Sequence, residues 1–332
     1  MNIYCTLFDS NYLDKGLVLY RSLCACESAF RLYVFAFDDR CREILEQEAL
    51  EHMVVVSEEE FVTDALRAVK GERSRAEYCW TCTPWIIKYV LDQYQEPMCT
   101  YIDADMMFFS SPQYIFGDML QKNCSALIVP HRFGTSRKER KREAQVGTYC
   151  VEFNTFLNDE NGRAVLDWWA EQCIEWCYYT PNSTDVGYGD QKYLNEFEKR
   201  FSGVYVCEEH GAGLAPWNAA RYRLAGKEGD WQVRDRKTGK TCPIVFFHFS
   251  GIKYLTKHYV NVCSGIKDPA LRRVVYDRYM KETVSVRAYL WEKYGVDFYT
   301  RRTVTKSVFF TVYQRFISPI VHLRSLLDIY RI

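Results

Sequence analysis

The feature that most constrains this chain is a short apolar segment that ends on two aspartates. The segment occupies residues 98–102 (Met-Cys-Thr-Tyr-Ile), and Asp103 and Asp105 follow it, separated by Ala104. Such a run is typical of a strand buried on both faces of a parallel sheet. In extended geometry the two carboxylates point to the same side of the strand. A divalent cation would relieve their repulsion, although an isolated Asp-x-Asp triplet is also common in solvated turns.

Strand-like and helix-like segments alternate through the first half of the chain. We predict strands at 2–8, 31–37, 53–56, 98–103, 124–129 and 148–156. We predict helices at 41–50, 58–69, 78–94, 112–120 and 159–176, and a basic surface loop at 131–142. This alternation predicts an α/β fold with a mainly parallel, doubly wound sheet, in which ligands bind outside the carboxyl ends of the strands.

The first strand is followed by a polar turn, Phe8-Asp9-Ser10-Asn11-Tyr12. It contains neither a Gly-x-Gly-x-x-Gly motif nor a P-loop, which argues against those two phosphate sites. Asp9 and Asn11 could bind a base or ribose, or they could cap the following helix. Lys88, in the helix before the aspartates, could reach a phosphate or face solvent.

The C-terminal third shows a hairpin pattern and then helices. Segments 231–233 and 244–249 read as two strands around a turn at 235–240, with His248 near the end of the second. Asp268-Pro269 predicts a helix start, with proline at the first helical position, and the helical pattern continues to Tyr294. The basic, aromatic tail 301–332 could lie on an anionic membrane surface, or pack on the preceding domain or a dimer partner.

Composition limits the possible partners and the cellular location. The 332 residues carry no net charge, so no global field attracts nucleic acid. The 14 cysteines are dispersed, many within apolar segments, which is typical of a reducing compartment. The sequence opens without a basic leader, and no apolar run is long enough to span a bilayer. We expect a cytoplasmic protein, with the cytoplasmic face of the inner membrane as the alternative location.

Five short motifs, in order, resemble those of bacterial GT-A-fold glycosyltransferases of the nucleotide-diphospho-sugar transferase superfamily, in particular the glycosyltransferase family 8-like group. They are Phe-Asp-Ser-Asn-Tyr at 8–12, Tyr-Ile-Asp-Ala-Asp at 101–105, Gly-Asp-Gln-Lys-Tyr-Leu at 189–194, Gly-Leu-Ala-Pro-Trp-Asn at 213–218 and Phe-Phe-His-Phe-Ser-Gly at 246–251. The resemblance covers residues 1–265. It implies a GT-A catalytic domain there, followed by a C-terminal helical extension at 266–332.

The resemblance also implies roles for individual residues. Asp103, Asp105 and His248 would ligate Mn²⁺, or alternatively Mg²⁺, against the donor diphosphate. Gln191 and Asp190 would lie at the catalytic centre, and Trp217 and Asn218 would face the acceptor, with a core tryptophan as the alternative for Trp217. The implied donor contacts are Thr6, Asp9, Asn11, Lys88, Asp103 and Lys253.

Two segments depart from the pattern of the family. The loop at 251–254 reads Gly-Ile-Lys-Tyr where better-known members have Gly-x-x-Lys-Pro-Trp, which puts the contact of Lys253 with the diphosphate in doubt. Residues 147–150, Gly-Thr-Tyr-Cys, stand where many members have Asn-x-Gly. Recognition of the donor sugar is therefore in doubt as well.

The implied function is metal-dependent glycosyl transfer. The donor would be a nucleotide-diphosphate sugar, UDP-linked by expectation, and the acceptor a glycan or lipid-linked glycan of the surface polysaccharide or lipopolysaccharide type. The neutral amide of Gln191 favours retention of configuration by front-side attack over a covalent intermediate. One alternative is a sugar-phosphate nucleotidylyltransferase, which would normally show a Gly-rich basic loop after the first strand. The other is an inactive membrane-associated scaffold, which would not need the acidic pair, the histidine and the glutamine.

Overall fold

The computed structural model describes residues 1–180, 187–254, 259–262, 265–298 and 329–331. Its strands are β1 (Asn2–Phe8), β2 (Phe30–Ala36), β3 (Met53–Ser57), β4 (Met98–Ile102), β5 (Met106–Phe108), β6 (Ala126–Pro130), β7 (Tyr149–Leu157), β8 (Val204–Val206), β9 (Tyr222–Lys227), β10 (Asp230–Asp235), β11 (Thr241–Pro243), β12 (Phe246–His248), β13 (Lys253–Tyr254), β14 (Tyr259–Asn261) and β15 (Ile329–Arg331).

The helices of the same residues surround the sheet. They are α1 (Leu13–Cys26), α2 (Asp39–Glu48), α3 (Glu58–Phe61), α4 (Asp64–Lys70), α5 (Arg75–Gln93), α6 (Gln113–Gln121), α7 (Arg137–Val146), α8 (Glu160–Glu175), α9 (Phe197–Arg200), α10 (Pro269–Arg272) and α11 (Arg278–Tyr294), with 3₁₀ turns at Lys192–Glu196 and Ala219–Arg221 and a π-helical turn at Arg273–Asp277. None of the described helices combines the length and apolarity needed to cross a membrane.

Seven strands form the central sheet in the order β3-β2-β1-β4-β7-β6-β8. All neighbouring pairs are parallel except those of β7, which runs antiparallel to β4 and β6. Alternate residues of β1 enter different cores: Tyr4 and Phe8 pack on the side of α1 and α11, and Cys5 and Leu7 on the side of α5 and α8. The predicted α/β class with a mainly parallel sheet is therefore confirmed.

Capping side chains explain where the helices differ from the predicted bounds. Ser74 and Glu77 form a capping box, so α5 begins three residues before the predicted start at 78. Thr63 accepts a hydrogen bond from the Leu66 amide, which starts α4 and divides the single helix predicted at 58–69. The predicted basic loop at 131–142 is wrong in its second half, because Ser136 and Glu139 cap the helix α7.

The hairpin predicted from 231–233 and 244–249 is confirmed around its turn at 235–240, but the predicted bounds of its second strand are wrong. After the turn, the chain pairs at once through β11 with β10, whereas β12 crosses to β5. This antiparallel pair aligns His248 with Met106 and Phe246 with Phe108. Segments about 140 residues apart are thus joined immediately beyond the aspartates. No local pattern in the sequence could indicate this partner.

The C-terminal helices pack on the same face of the sheet as α1. Asp268 caps α10 and Pro269 occupies its first position, as predicted. Tyr279 stacks on Phe249 with ring centroids 3.7 Å apart, and Arg287 Nε donates to Asp14 Oδ2 over 2.6 Å. The boundary predicted at 265 stays a prediction. Most of the tail, residues 299–328 and 332, lies outside the described residues.

Candidate active site

Three side chains converge just beyond the carboxyl end of β4. His248 Nε2 lies 3.0 Å from Asp105 Oδ1 and 3.6 Å from Asp103 Oδ2. One ligand atom from each residue lies within 4.8 Å of the others. We call these three residues the acid–histidine cluster.

Backbone hydrogen bonds hold the cluster together. The Asp103 amide donates to the Glu152 carbonyl on β7 over 3.2 Å, and the Phe249 amide donates to the Asp105 carbonyl over 2.8 Å. The His248 amide donates to the Leu214 carbonyl over 2.8 Å. The cluster therefore depends on β4, β7, the β5–β12 pair and the loop that contains Leu214.

A second layer of polar side chains orients the cluster. The Tyr101 hydroxyl donates to Asp103 Oδ1 over 2.7 Å, which leaves Oδ2 toward His248. The fully buried Glu152 lies with Oε2 2.8 Å from His248 Nδ1, and Lys15 Nζ lies 3.8 Å from Asp105 Oδ2. A carboxylate at Nδ1 favours the tautomer whose Nε2 lone pair faces a metal.

Burial and neighbouring charges shift the pKa values of Asp103 and Asp105 in opposite directions. Burial raises the pKa of Asp103 to about 7, against the opposing effect of His248. Burial would also raise the pKa of Asp105, but His248 outweighs it and holds that pKa below its usual value. Burial would lower the pKa of His248, whereas the Asp105 carboxylate raises it well above normal. The pKa of Asp103 is thus raised, whereas the pKa of the neighbouring Asp105 is lowered.

The cluster fits a divalent cation in both spacing and donor type. Protein ligands lie roughly 2.0–2.6 Å from Mg²⁺ or Ca²⁺, so two ligands of one such ion are separated by at most about 4–5 Å. The spacing of the three candidate ligand atoms falls within this limit. Two carboxylates with an imidazole, oriented by outer hydrogen bonds, form a reasonable donor set for Mn²⁺, as for other divalent first-row metals.

One side of the cluster opens into a cleft with an empty volume of about 760 Å³. We call this the first cleft; Asp103, His248, Asp190, Gln191 and Trp217 border it. Gln191 Nε2 donates to the Val146 carbonyl over 2.8 Å. Burial, and then the Asp103 carboxylate, raise the pKa of Asp190 well above normal. Asp190 and Gln191, the two predicted catalytic residues, thus line the same cleft as Asp103 and His248, two of the candidate metal ligands.

A larger cleft, with an empty volume of about 1350 Å³, lies beside Lys15. We call this the second cleft; Asp9, Asn11, Lys15, Tyr254 and Arg287 border it. Asp9 Oδ1 accepts from the Asn11 amide over 2.9 Å, and Asp9 Oδ2 accepts from Arg75 Nε over 2.7 Å. Since α1 has Tyr12 at its N-cap and no capping side-chain bond, Asp9 and Asn11 do not cap that helix.

Asp105 lies between the two clefts. His248, which borders the first cleft, approaches Oδ1, and Lys15, which borders the second, approaches Oδ2. A ligand that occupied both clefts would therefore pass the cluster.

The comparisons with solved structures decide the fold. A galactosyltransferase, LgtC, in complex with donor and acceptor sugar analogs superimposes with a TM-score of 0.54 at 15% identity, over 85% of this chain and 95% of that one. An active-site mutant of LgtC superimposes with a TM-score of 0.51 at 15% identity, over 75% and 87%. The chain has the GT-A fold.

Sequence comparisons add relatives without an assigned activity. YfnD and YfnF of Bacillus subtilis (strain 168), both described as uncharacterized, are each 27% identical to this chain. The match to YfnD spans 280 residues, 83% of this chain and 87% of the relative, and the match to YfnF spans 258 residues, 76% and 82%. No protein-family model matches the sequence.

Three predicted site residues with buried or ion-paired side chains border neither of the two clefts. Thr6 faces the interior with Tyr4 and Phe8, and its hydroxyl is fully buried without a partner among the described residues. Lys88 forms an ion pair with Asp167, because its side of α5 faces α8. The contacts of Thr6 and Lys88 with the donor stay predictions, which these positions do not favour.

Asn218 has a structural position in the loop that contains Trp217. Its Nδ2 donates to the carbonyls of Gly213 over 2.7 Å and His131 over 2.9 Å, and its Oδ1 accepts from the Ala215 amide over 3.1 Å. The acceptor contact of Asn218 stays a prediction, which its position does not favour, since its amide is buried and already bonded to the backbone.

The other two predicted contacts in this region differ in exposure. Trp217 borders the first cleft, with its ring centroid 5.3 Å from that of His248 in an edge-on arrangement. Lys253 is exposed and borders neither cleft, although Ile252 and Tyr254 on either side line the second. The role of Lys253 toward the diphosphate stays a prediction.

Sequence reasoning missed several residues of this GT-A site. Glu152 was detectable in principle, because it is an acidic residue within a strand of otherwise apolar and small polar side chains. Trp80 and Tyr188 line the first cleft with Arg142, which the sequence assigned to a surface loop. Lys15 had no distinguishing local signal, since a lysine near the start of a helix is ordinarily solvated.

Proposed function

We propose that this protein is a metal-dependent, retaining glycosyltransferase that moves a sugar from a UDP-linked donor to a surface-glycan acceptor. The observation that carries the proposal is the convergence of Asp103, Asp105 and His248 at one point between two clefts of a GT-A fold. LgtC, with a similar fold, was solved with donor and acceptor sugar analogs, which supports these classes of substrate.

The two clefts suggest how the donor would bind. Its nucleoside would occupy the second cleft beside Asp9 and Asn11, whose amide and carboxyl groups can hydrogen-bond a base or ribose. Its sugar would occupy the first cleft beside Asp190 and Gln191. The diphosphate would then lie at the acid–histidine cluster, where a Mn²⁺ or Mg²⁺ ion held by the three side chains would supply positive charge to the leaving group.

Gln191 would act on the anomeric carbon. Its Nε2 is bonded to the Val146 carbonyl, which turns Oε1 to the opposite side of the amide. A neutral amide oxygen stabilises developing positive charge without forming a lasting bond, which favours front-side attack. In that reaction the bond from the anomeric carbon to the phosphate oxygen breaks as the bond to the acceptor oxygen forms. The departing diphosphate takes the proton of the acceptor hydroxyl.

Asp190 would hold the sugar rather than react with it. The pKa of Asp190 is raised well above normal by burial and by Asp103. A neutral carboxyl group can donate a hydrogen bond to a sugar hydroxyl as well as accept one. Its place in the cleft wall would fix the orientation of the transferred ring.

Aromatic side chains support a sugar acceptor in the first cleft. Trp80, Tyr188, Phe133 and Trp217 line it, and their faces can pack against the apolar face of a sugar ring. A glycan of the surface polysaccharide or lipopolysaccharide type, free or lipid-linked, would be the acceptor. The proposed site of action is the cytoplasm or the cytoplasmic face of the inner membrane, with 301–332 as the membrane-contacting segment.

A thermal-shift panel of nucleoside diphosphates and nucleotide sugars, with and without Mn²⁺, tests the proposal. At 100 times Kd a bound ligand stabilises the folded state by about 2.7 kcal/mol, a rise in Tm on the order of 5 °C. We expect UDP to produce the full rise with Mn²⁺ and a smaller rise without it. The part of the rise that depends on Mn²⁺ should disappear in Asp105→Asn but persist in Asp118→Asn, a variant on the exposed surface of α6.

Turnover distinguishes the alternatives. A glycosyltransferase releases UDP from the sugar donor in the presence of an acceptor. A sugar-phosphate nucleotidylyltransferase instead releases pyrophosphate from a nucleoside triphosphate and a sugar 1-phosphate. If the protein neither binds nor turns over any of these substrates, catalysis is refuted and the scaffold alternative remains.

A further inference from the structure

A buried lysine lies between the two clefts. Lys15, the third residue of α1, has a side chain that is only 10% exposed. Its Nζ lies 3.7 Å from the centroid of the Tyr12 ring and 3.8 Å from Asp105 Oδ2. Lysine is rarely buried to this degree without a strong partner, because desolvation of the ammonium group costs free energy.

The contacts around Lys15 do not satisfy its ammonium group. A distance of 3.8 Å to Asp105 is too long for a hydrogen bond, and an aromatic ring accepts at most one N–H. The neighbouring Asp14 is engaged elsewhere, with Arg287 Nε at 2.6 Å and the Lys15 backbone amide at 2.9 Å. Among the described residues Lys15 Nζ donates no hydrogen bond, and its contacts are those with Asp105 and the Tyr12 ring. Its donors are therefore available to a ligand.

The available donors lie where a diphosphate would run. Lys15 borders the second cleft together with Asp9 and Asn11. It also approaches the same Asp105 carboxylate as His248, from the opposite oxygen. A diphosphate that extends from the second cleft to the first would have the acid–histidine cluster on one side and the Lys15 ammonium group on the other.

We propose that Lys15 binds the diphosphate of the donor directly and supplies positive charge to the leaving group that does not depend on the metal. This inference rests on the proposed function and adds a residue to it. The Lys15 N–H groups would donate to non-bridging phosphate oxygens, and these bonds strengthen as the sugar–oxygen bond breaks and negative charge accumulates on the diphosphate. Lys15 forms no covalent bond and keeps its protons.

The inference implies that Lys15 would affect the binding of a nucleoside diphosphate but not that of the free nucleoside. A nucleoside held by Asp9 and Asn11 would reach Lys15 only through its phosphates. The loss of Lys15 should then weaken UDP binding and leave uridine binding unchanged. A merely structural role for Lys15 would weaken both equally.

Isothermal titration of the full chain with UDP, UMP and uridine, in EDTA and again in saturating Mn²⁺, tests this. We expect Lys15→Met to weaken UDP binding about 10- to 100-fold in both conditions, as for loss of hydrogen bonds to a charged group. Uridine binding should stay at the wild-type value. Lys15→Arg should retain most UDP affinity, and Lys15→Gln replaces Lys15→Met if the methionine variant does not fold.

Lys70→Met is a matched control. Lys70 also contacts one carboxylate, of Glu58, and one tyrosine ring, of Tyr78, but it borders neither of the two clefts. UDP affinity within threefold of wild type in a folded Lys15→Met or Lys15→Gln variant would refute the inference and leave the proposed function intact. Failure of the wild-type chain to bind any nucleoside diphosphate, with or without Mn²⁺, would refute both.

Discussion

Glu152 offers a sharp test of the acid–histidine cluster, because it contacts His248 at Nδ1, whereas Asp103 and Asp105 approach Nε2. It is fully buried on β7, with Oε2 2.8 Å from His248 Nδ1, and its Oε1 has no hydrogen-bond partner among the described residues. Replacing it with leucine removes the acceptor that orients the imidazole. Replacing it with glutamine keeps an acceptor of similar size and removes the charge.

The expected magnitude follows from this geometry. Loss of an outer carboxylate partner of a metal-bound histidine typically lowers metal affinity 10- to 100-fold, which corresponds to about 1.4–2.7 kcal/mol. Glu152→Leu should lower Mn²⁺ affinity by the upper end of this range, because His248 Nδ1 loses its carboxylate partner. Glu152→Gln should lower Mn²⁺ affinity by the lower end of this range. Folding stability without metal should fall less, because removing Glu152 also removes a buried carboxylate oxygen that has no partner.

The assay is Mn²⁺ binding by electron paramagnetic resonance of the free ion, with Tm measured in EDTA on the same samples. Thr155→Val is the control, because Thr155 is equally buried on β7 but bonds to Thr100 rather than to the cluster. Mn²⁺ affinity should be unchanged in the control. Wild-type Mn²⁺ affinity in a folded Glu152→Leu protein would refute the orienting role.

Three further predictions concern the clefts and the tail. Gln191→Ala should lower kcat on the order of 10²-fold and leave UDP affinity unchanged. Steady-state kinetics and titration measure the two quantities, and an equal loss of kcat and of UDP affinity would contradict a transition-state role. Trp217→Ala should raise the acceptor KM about threefold to tenfold, while Trp217→Phe, which keeps an aromatic face, should raise it less; equal values in both variants would exclude stacking. Deletion of 301–332 should abolish salt-sensitive sedimentation with anionic liposomes, whereas unchanged sedimentation would exclude the membrane role of this segment.

Local patterns predicted the elements that depend on near neighbours. Apolar periodicity, which is a property of consecutive residues, predicted the parallel strands β1, β2 and β4 and the helices α6 and α8. Where a cap was overlooked, as at Ser136, a helix was mistaken for a loop. The pairing of β12 with β5 depends on long-range packing and was predicted incorrectly.

Side-chain roles were less predictable than elements, because they depend on the direction in which each residue points. Lys88 lies on a helix that reaches the first cleft through Trp80, but its own side faces α8. Asn218 follows Trp217 directly, yet its amide is used within the loop. A motif identifies a segment, whereas burial decides which of its side chains meets a ligand.

Asp103 and Asp105 were recognisable in the sequence as an acidic pair at the end of a strand. They were predicted in extended geometry, whereas the structure places them after β4 in a turn, in which the Met106 amide donates to the Asp103 carbonyl over 3.2 Å. The tertiary structure brought His248, Glu152 and Lys15 to that pair from β12, β7 and α1. Contacts between distant segments arise when whole elements pack and pair. No spacing along the chain encodes them.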